Sequence, residues 1–351
     1  MAARTIRTLK LGPSWRFKRL DPNVLVLDRL HYRIGDGPWL GPAFTAEAAR
    51  RIREHYGVKP YQYWDLQPWR KFGTQEPKVY DDVITFRYTV QSEIEPEGDL
   101  ELVVEDAHAY EVRVNGQTIH ARSDWRSNRP ASGKPASGEA GDATSQQPSP
   151  GRPWFDDAFR RLPIKHAWKR GENVIELAFR FSEDLAIEQA YLLGDFALAS
   201  KDGREFVLSR EPETLKSGPW ISQGYPFFVG RAVYSQAFIL TDEDAAGLVY
   251  VEFSDLPSVA RVFCNGRDMG LVAWRPYRLE LTPAVRPGEN TLEIQVASTV
   301  YNILGALHKP TVPVLTTPAD YVYSPDWVED YMLVPEGLAH RVQLRIVKNK
   351  E

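Results

Sequence analysis

The amino-acid sequence predicts an all-β protein of two tandem β-sandwiches, or jelly rolls, preceded by a short N-terminal extension with one helix. Three observations lead to this prediction. Short runs of alternating apolar and polar residues, separated by Gly, Pro, Asn and Asp, occur along most of the 351 residues. Helical periodicity is scarce, and a set of three motifs occurs twice in the same order. Many short strands with turn residues between them are typical of sandwiches and jelly rolls.

Period-two alternation predicts strands over residues 83–90, 100–104, 173–179 and 291–296. One helix is predicted, between Thr45 and Tyr56, because Thr45 can act as its N-cap and apolar residues recur there on neighbouring turns. Two further strands, residues 23–28 and 30–34, form an apparent pair within the N-terminal extension.

The duplication is the most informative pattern. An apolar strand ends in Asn115-Gly116 in the first half and in Asn265-Gly266 in the second half. The Asn-Gly pair favours a two-residue hairpin turn, because both central residues need a positive φ. Each turn is preceded by a second apolar strand (98–105 and 247–252) and followed by Gly-Glu-Asn (171–173 and 288–290). This ordered recurrence, about 150 residues apart, predicts two copies of one sandwich.

These patterns divide the chain into three parts. Residues 1–79 form the N-terminal extension, with the strand pair, the helix and an aromatic link, while residues 80–212 and 213–351 form the first and second sandwich. The first sandwich carries residues 127–152, a stretch of Ser, Gly, Pro and Ala that cannot bury enough apolar surface to offset the entropy of ordering it. We expect this stretch to be a mobile loop.

Composition excludes several functional classes. The 43 basic and 47 acidic residues give a net charge of −4, so no overall positive field attracts nucleic acid. Cys264 is the single cysteine, which excludes an intrachain disulfide framework and a cysteine-built zinc site. No apolar run is long enough to span a membrane, and the basic N-terminus lacks the apolar core of a secretory signal, so we expect a cytoplasmic location.

No residue can be assigned a catalytic role from the sequence. The seven histidines are scattered without metal-ligand spacing, and nucleophile-elbow and phosphate-loop motifs are absent. Adjacent acids such as Asp81-Asp82, Asp156-Asp157 and Glu329-Asp330 point to opposite faces if they lie on a strand. No cofactor is expected, although a structural calcium stays open because its backbone carbonyl ligands leave no sequence signature.

Several segments resemble the C-terminal region of large glycoside hydrolases related to family 2 and to the family 106 rhamnosidases. The segments that carry the resemblance are residues 21–28, 191–196, 223–228, 264–266, 274–277, 288–290 and 333–338. The resemblance implies galactose-binding-like jelly rolls, the fold of many carbohydrate-binding modules. In those enzymes the catalytic carboxylates lie on an upstream (β/α)8 barrel of roughly 250 residues, for which this sequence has no counterpart.

Sugar binding is the chemistry that remains, because aromatic rings stack on the apolar faces of sugars while polar side chains hydrogen-bond to their hydroxyl groups. Two regions combine both kinds of side chain. The alternative role for their aromatic residues is packing in the core or between the sandwiches. The candidate carbohydrate-binding residues are Trp220, Gln223 and Tyr225 in the first region and Trp274, Tyr277, Asn302 and His308 in the second.

We therefore expect a non-catalytic, carbohydrate-associated protein. It would be the accessory or sugar-binding tail of a glycoside hydrolase, with carbohydrate and a separate catalytic chain as partners, and with neither nucleic acid nor membrane among them. Two alternatives stay open. Either the chain itself hydrolyses a glycosidic bond with carboxylates supplied by loops, or it is a structural module that binds other proteins through an aromatic surface.

Overall fold

The computed structural model describes residues 5–59, 77–120, 152–310 and 323–347. The regular structure of the described residues is mostly strands in antiparallel sheets, with few helices, which confirms the predicted all-β class. It forms two compact units. Unit 1 consists of Met1–Val24, Arg210–Leu307 and Leu333–Glu351, and unit 2 consists of Leu25–Ser209 and His308–Met332.

The strands are numbered in chain order. The first thirteen described strands are β1 (Thr5–Leu11), β2 (Ser14–Arg19), β3 (Asn23–Leu27), β4 (Arg29–Ile34), β5 (Leu40–Phe44), β6 (Val79–Ser92), β7 (Leu100–Glu105), β8 (Glu111–Val114), β9 (Gln117–His120), β10 (Arg152–Trp154), β11 (Asp156–Pro163), β12 (Gly171–Ser182) and β13 (Ala190–Gly194). The remaining described strands are β14 (Ala197–Ala199), β15 (Val207–Ser209), β16 (Thr214–Lys216), β17 (Gly218–Pro219), β18 (Arg231–Leu240), β19 (Leu248–Phe253), β20 (Val259–Cys264), β21 (Arg267–Val272), β22 (Arg278–Glu280), β23 (Gly288–Ala297), β24 (Gly337–Leu338) and β25 (Val342–Val347).

Helices are few and short. The α-helices of the described residues are α1 (Thr45–His55), α2 (Asp242–Ala246) and α3 (Tyr301–Leu304). Helix α1 confirms the predicted helix, but Thr45 is not its N-cap. Phe44 occupies the cap position and has no side-chain acceptor, while Thr45 is buried as the first helical residue and its hydroxyl donates to the Asp28 carbonyl at 3.3 Å.

In unit 1 two antiparallel sheets enclose the core. One has the strand order β1-β25-β19-β22 and the other the order β16-β2-β18-β23-β20-β21, and β17 pairs separately with β24. The period-two alternation decides which side chains fill the core. Along β23, Leu292, Ile294 and Val296 are buried, whereas Thr291 and Glu293 between them are exposed.

Unit 2 is built in the same way from a smaller and a larger sheet. The smaller sheet has the order β10-β11-β7-β13-β3. The larger has the order β14-β15-β6-β12-β8-β9, with β4 beside β6 and β5 beside β4. Its pairings are antiparallel except for β15, which runs parallel to β6. Along β6 the core side chains Phe86, Tyr88 and Val90 alternate with Arg87 and Thr89, which face outward.

The predicted strands over residues 23–28 and 30–34 both form, as β3 and β4, but they do not pair with each other. Strand β3 lies in the smaller sheet of unit 2, whereas β4 pairs with β5 and β6 in the larger one. Asp28 is the single residue between them, and a tight hairpin needs a loop of two residues. The chain therefore passes from one sheet to the other at Asp28.

The structure also divides the chain differently from the expected boundaries. Strands β1 and β2 pair with β25 and β18, so the first 24 residues belong to unit 1 and the rest of the expected N-terminal extension belongs to unit 2. Residues 308–332, expected in the second sandwich, are also part of unit 2. The expected mobile loop, residues 127–152, and the aromatic link, residues 61–69, lie outside the described residues, apart from Arg152 at the start of β10.

A side-chain hydrogen-bond network surrounds the predicted Asn-Gly turn of unit 2. The Asn115 amide donates to the Ala167 carbonyl and to Asn173 Oδ1, both at 2.8 Å, and Asn115 Oδ1 accepts from the Val174 amide at 2.9 Å. Asn173 is fully buried and donates in turn to the Lys169 carbonyl at 2.7 Å. The network joins the turn to the start of β12, the strand that pairs with both β6 and β8.

The same network occurs at the Asn-Gly turn of unit 1. The Asn265 amide donates to the Ala284 carbonyl and to Asn290 Oδ1, both at 2.8 Å, and its Oδ1 accepts from the Thr291 amide at 2.9 Å. Asn290 donates to the Arg286 carbonyl at 2.7 Å. The two turn asparagines also share a left-handed backbone, with φ of 51° at Asn115 and 50° at Asn265, as a two-residue hairpin requires.

Removing either buried asparagine side chain should destabilise its unit. We expect Asn173→Ala and Asn290→Ala each to lower the free energy of unfolding by roughly 2–4 kcal/mol, because several buried backbone groups lose their partners at once. Thr291→Ala is the control, since Thr291 is exposed and contributes only its backbone amide, and we expect a change of about 0.5 kcal/mol or less. Urea unfolding measures all three. Equal stability of Asn290→Ala and Thr291→Ala would contradict this prediction.

Candidate functional site

Trp220 and Tyr225 lie in the core of unit 1, where each is 1% exposed. The Trp220 indole nitrogen donates to the Tyr234 hydroxyl at 2.5 Å, and the Tyr225 hydroxyl donates to Glu211 at 3.1 Å. Burial raises the pKa of Tyr225, which keeps its hydroxyl protonated as a donor. Both residues therefore have the packing role that was the alternative to sugar contact, and neither ring presents a face to solvent.

Gln223 holds a turn of unit 1 together. Its Oε1 accepts from the Lys216 amide at 2.8 Å, and its Nε2 donates to the Lys216 and Pro219 carbonyls at 3.2 and 3.0 Å. The side chain also lines an open cleft of about 520 Å³. The described residues that line this cleft include no aromatic ring, so the cleft lacks the stacking surface expected of a sugar site. Its hydroxyl groups come from Ser14, Thr214, Ser217 and Ser222.

Asn302 is buried in unit 1 and clamps one backbone segment. Its Nδ2 donates to the Val334 carbonyl at 3.0 Å and its Oδ1 accepts from the Val334 amide at 2.9 Å. Close by in the chain, Glu336 Oε1 accepts from the amide and the hydroxyl of Thr299 at 2.8 and 2.7 Å. The side chains of Asn302 and Glu336 therefore fasten residues 334–336 to the segment that follows β23, and Asn302, which is 2% exposed, is out of reach of a sugar.

His308 belongs to a buried cluster in unit 2. Its Nδ1 is 2.9 Å from the Val328 carbonyl oxygen, and its Nε2 is 2.7 Å from Asp28 Oδ2. The other Asp28 oxygen accepts from the Tyr331 hydroxyl at 2.7 Å, and burial raises the pKa of Tyr331 well above 10. The Val328 carbonyl and the Asp28 carboxyl group can each accept a hydrogen bond from a ring nitrogen, so the contacts fit an ion pair between His308 and Asp28.

Aromatic rings enclose the His308 imidazole. The ring centroids of Phe44, Tyr331 and Trp327 lie 4.4, 4.6 and 5.4 Å from that of His308. Aromatic faces attract a cation most strongly where water is excluded, and His308 is only 2% exposed. The cluster thus binds the end of β3 to residues 328–331 within unit 2, and no sugar reaches the imidazole.

Trp274 and Tyr277 lie on the surface of unit 1, in the loop that joins β21 to β22. Trp274 is 76% exposed. Tyr277 is half-buried, and the Arg275 guanidinium carbon lies 5.9 Å from the centre of its ring. The Tyr277 carbonyl accepts from the Phe253 amide at 2.9 Å, which holds the end of the loop against β19. An indole ring this exposed is available to a binding partner.

Strand β22 leads from this loop into the outward face of the four-stranded sheet. Along β19, Tyr250 and Glu252 are partly exposed and alternate with the buried residues Val249, Val251 and Phe253. The two outward side chains therefore stand on the side of the sheet that faces away from the core.

Charged and amide side chains surround Tyr250 on this face. The Arg278 guanidinium carbon lies 5.5 Å from the centre of the Tyr250 ring. Glu252 accepts from Gln343 at 3.1 Å and from Arg345 at 3.4 Å. We call these five residues, Tyr250, Glu252, Arg278, Gln343 and Arg345, the Tyr250 face. It combines a half-exposed ring with fixed donors and acceptors, the pair of features that sugar recognition needs.

The alternation of residues along β19 is a signal in the sequence for the Tyr250 face. In Leu248–Phe253 the inward positions are all apolar, while the outward positions after Leu248 carry an aromatic residue, Tyr250, and an acidic residue, Glu252. An aromatic side chain on the polar side of an alternating strand has no core to fill. The contributions of β25, in contrast, could not be found without knowing that β25 lies beside β19.

The adjacent acids that the sequence singles out at residues 329 and 330 are used in ion pairs. Glu329 and Asp330, an adjacent pair in the sequence, each bind a different arginine, at 2.6 Å from Arg29 and 2.6 Å from Arg204. Within residues 5–59, 77–120, 152–310 and 323–347, no group of three or more His, Cys, Asp or Glu side chains could hold a metal ion. In the same part of the chain, no helix has the length and apolar character required to cross a membrane.

Comparison with known proteins gives only distant similarities. No protein-family profile matches the chain, and no curated protein matches it in sequence. Among solved structures it is similar to a rhamnosidase from Novosphingobium sp. PP1Y, with 17% identity over 85% of this chain and 26% of the rhamnosidase, at a TM-score of 0.30. The chain thus spans about a quarter of that protein's length.

Two β-glucuronidases match a smaller share of the chain. The protein from an uncultured Clostridium sp. has 19% identity over 36% of this chain and 21% of its own, at a TM-score of 0.25. The protein from Ruminococcus gnavus has 16% identity over 35% and 20%, at a TM-score of 0.24. TM-scores this low carry no argument about function.

Breaking the buried pair in unit 2 should cost far more stability than breaking an exposed pair. Asp28→Asn removes the carboxylate that faces the buried His308, and for a charged imidazole we expect the free energy of unfolding to fall by roughly 3 kcal/mol. The control is Glu329→Gln, which breaks the exposed pair with Arg29 and should cost about 1 kcal/mol or less. Urea unfolding compares the variants, and nitrogen NMR should find hydrogen on both nitrogens of His308. A neutral imidazole would refute the charged pair.

Glu336 should give unit 1 a pH-dependent stability. Burial raises its pKa above the usual 4.5, and its Oε2 has no hydrogen-bond partner among the described residues. The folded chain therefore keeps this proton where the unfolded chain has lost it, so the free energy of unfolding falls as the pH rises from about 4.5 through the raised pKa. Glu336→Gln removes the titration and keeps the acceptor for Thr299.

We expect Glu336→Gln to gain stability relative to the unchanged protein when the pH rises from about 4 to about 7.5. Urea unfolding at several pH values measures this difference. Glu289→Gln serves as the matched control, because Glu289 is exposed on the same unit. If the two variants change identically with pH, burial of Glu336 has no part in the pH dependence.

Proposed function

We propose that the chain is a non-catalytic, carbohydrate-associated module of a glycoside hydrolase, and that it binds sugar through the Tyr250 face of unit 1 and the neighbouring Trp274 loop. The observation that supports this most is the surroundings of Tyr250. Its half-exposed ring lies beside Arg278, and the donors and acceptors of Glu252, Gln343 and Arg345 are fixed by bonds to one another. A sugar ring can stack on the tyrosine while its hydroxyl groups meet these side chains.

We further propose that the two units are copies of one galactose-binding-like jelly roll. The matching asparagine networks support this. In each unit the turn asparagine bonds to the buried asparagine, to the amide of the residue after it and to an alanine carbonyl before it, with distances that agree within 0.1 Å for each bond compared. An accessory role would make a separate catalytic chain the second partner, besides carbohydrate.

The two alternatives have less support. Hydrolysis of a glycosidic bond needs two facing carboxyl groups roughly 5–10 Å apart, whereas Glu329 and Asp330 are each neutralised by an arginine. A protein-binding module would need a continuous apolar patch. The exposed apolar side chains Ile239 and Leu271 lie beside charged residues in the sheet register, Glu289 and Arg261 respectively.

The proposal is tested by calorimetric titration of the full chain with rhamnose-, galactose- and uronate-containing oligosaccharides. We expect Tyr250→Ala and Trp274→Ala each to weaken the binding of the recognised oligosaccharide by about ten-fold or more, which corresponds to about 1.4 kcal/mol of lost stacking. Ile239→Ala, which removes an exposed apolar side chain from the other sheet of unit 1, should leave the affinity unchanged.

Two results would count against the proposal. One is the absence of binding to every oligosaccharide in the panel. The other is full affinity in both Tyr250→Ala and Trp274→Ala, which would place any sugar site outside the Tyr250 face. Circular dichroism of each variant verifies that the fold is intact.

A further inference from the structure

Arg33 of unit 2 is a cation without a partner among the described residues. Its Nε is buried and meets no hydrogen-bond acceptor, and no described carboxylate forms an ion pair with it. A guanidinium group has five N–H donors, and none of those of Arg33 is used within the described part of the chain. A half-buried cation with unused donors is costly unless an anion completes it.

The sheet register places Arg33 on the outward face of the larger sheet of unit 2. Strand β4 pairs with β6 so that Arg33 lies beside Thr85 and His31 beside Arg87. One strand further on, Arg87 lies beside Glu176 and donates to it at 2.8 and 3.1 Å. This part of the face therefore contains more cations than anions.

The neighbouring arginines of this face are neutralised, in contrast to Arg33. Arg87 is paired with Glu176 at 2.8 Å, and Arg113, two strands away on β8, is paired with Glu111 at 2.6 Å. Among the described residues of this face, Arg33 is therefore the arginine that no carboxylate neutralises. Because its Nε is buried, an approaching anion would meet its two terminal nitrogens.

Trp39 stands beside this free cation. It lies in the loop between β4 and β5 and is half-buried. The guanidinium carbons of Arg33 and Arg87 lie 5.0 and 3.9 Å from the centre of a Trp39 ring. Stacking on an aromatic ring restricts the orientation of a guanidinium group, so the donors of Arg33 are held in place before any ligand arrives.

We propose that Arg33 and Trp39 form a second binding site, which takes the carboxylate of an acidic sugar residue. The planar fork of a guanidinium group fits the planar carboxylate with two parallel hydrogen bonds. The indole ring supplies apolar surface for the sugar ring that carries this carboxylate. The choice of a sugar rests on the proposed function, but the site lies on unit 2 and shares no residue with the Tyr250 face.

The test is a calorimetric titration of the full chain with a galacturonic acid oligomer, with a neutral galactose oligomer of the same length and with acetate. We expect the acidic oligomer to bind at this site and Arg33→Met to weaken that binding roughly ten- to hundred-fold, the range for a bidentate charge-assisted pair. Trp39→Ala should weaken it as well. Arg33→Lys keeps the charge but loses the fork, and should give an intermediate affinity.

Arg113→Met is the matched control, because it removes the same charge from the same face. An equal loss in Arg33→Met and Arg113→Met would overturn the proposal in favour of unspecific attraction. It would also be overturned if the acidic oligomer did not bind, if Arg33→Met bound it at full strength, or if acetate displaced it at comparable concentration. Tyr250→Ala reports on the other unit, so a failure of either site is recognised separately.

Discussion

Each unit depends on one buried asparagine side chain that satisfies backbone groups no strand can reach. Asn173 and Asn290 stand at the start of β12 and β23, each of which is an interior strand of its sheet. Their amides donate to the carbonyls of the turn before the strand and their oxygens accept from the asparagine of the adjacent hairpin. An aspartate cannot donate and a leucine can do neither. The register of the central strand, and with it the alternation that fills the core, therefore depends on this amide.

The need of buried polar groups for partners also distinguishes His308 from Arg33 in unit 2. His308 is enclosed by rings, but its Nε2 also lies 2.7 Å from the Asp28 carboxyl group, so both of its ring nitrogens have partners inside the protein. Arg33 has the aromatic neighbour without the carboxylate. Aromatic contact alone stabilises a cation only modestly. His308 therefore has a structural role, whereas Arg33 keeps hydrogen-bond donors that a ligand could use.

Much of the fold could be predicted because it is recorded locally. Alternation in residues 83–90 and 291–296 gave β6 and β23, and the Asn-Gly pairs gave the hairpins β8–β9 and β20–β21. The exposure of the candidate site residues could not be predicted in this way, because an aromatic side chain can lie either in the core or on the surface. Trp220 and Trp274 look alike in the sequence, and only the position of their neighbours in space makes one 1% and the other 76% exposed. His308 could not be assigned either, since Asp28 is 280 residues away.

Unit 1 is assembled from three separate stretches of chain. Its strands are therefore synthesised at different times during translation. Strand β25 lies between β1 and β19 in the four-stranded sheet, so β1 and β19 are joined only after the ribosome has made β25, which comes later in the chain than either. Until then β1 and β19 each present an open edge in the middle of their future sheet. Most of unit 2 is synthesised in one continuous run during that interval. The edges of β1 and β19 are therefore open to pairing with other chains for as long as β25 is missing.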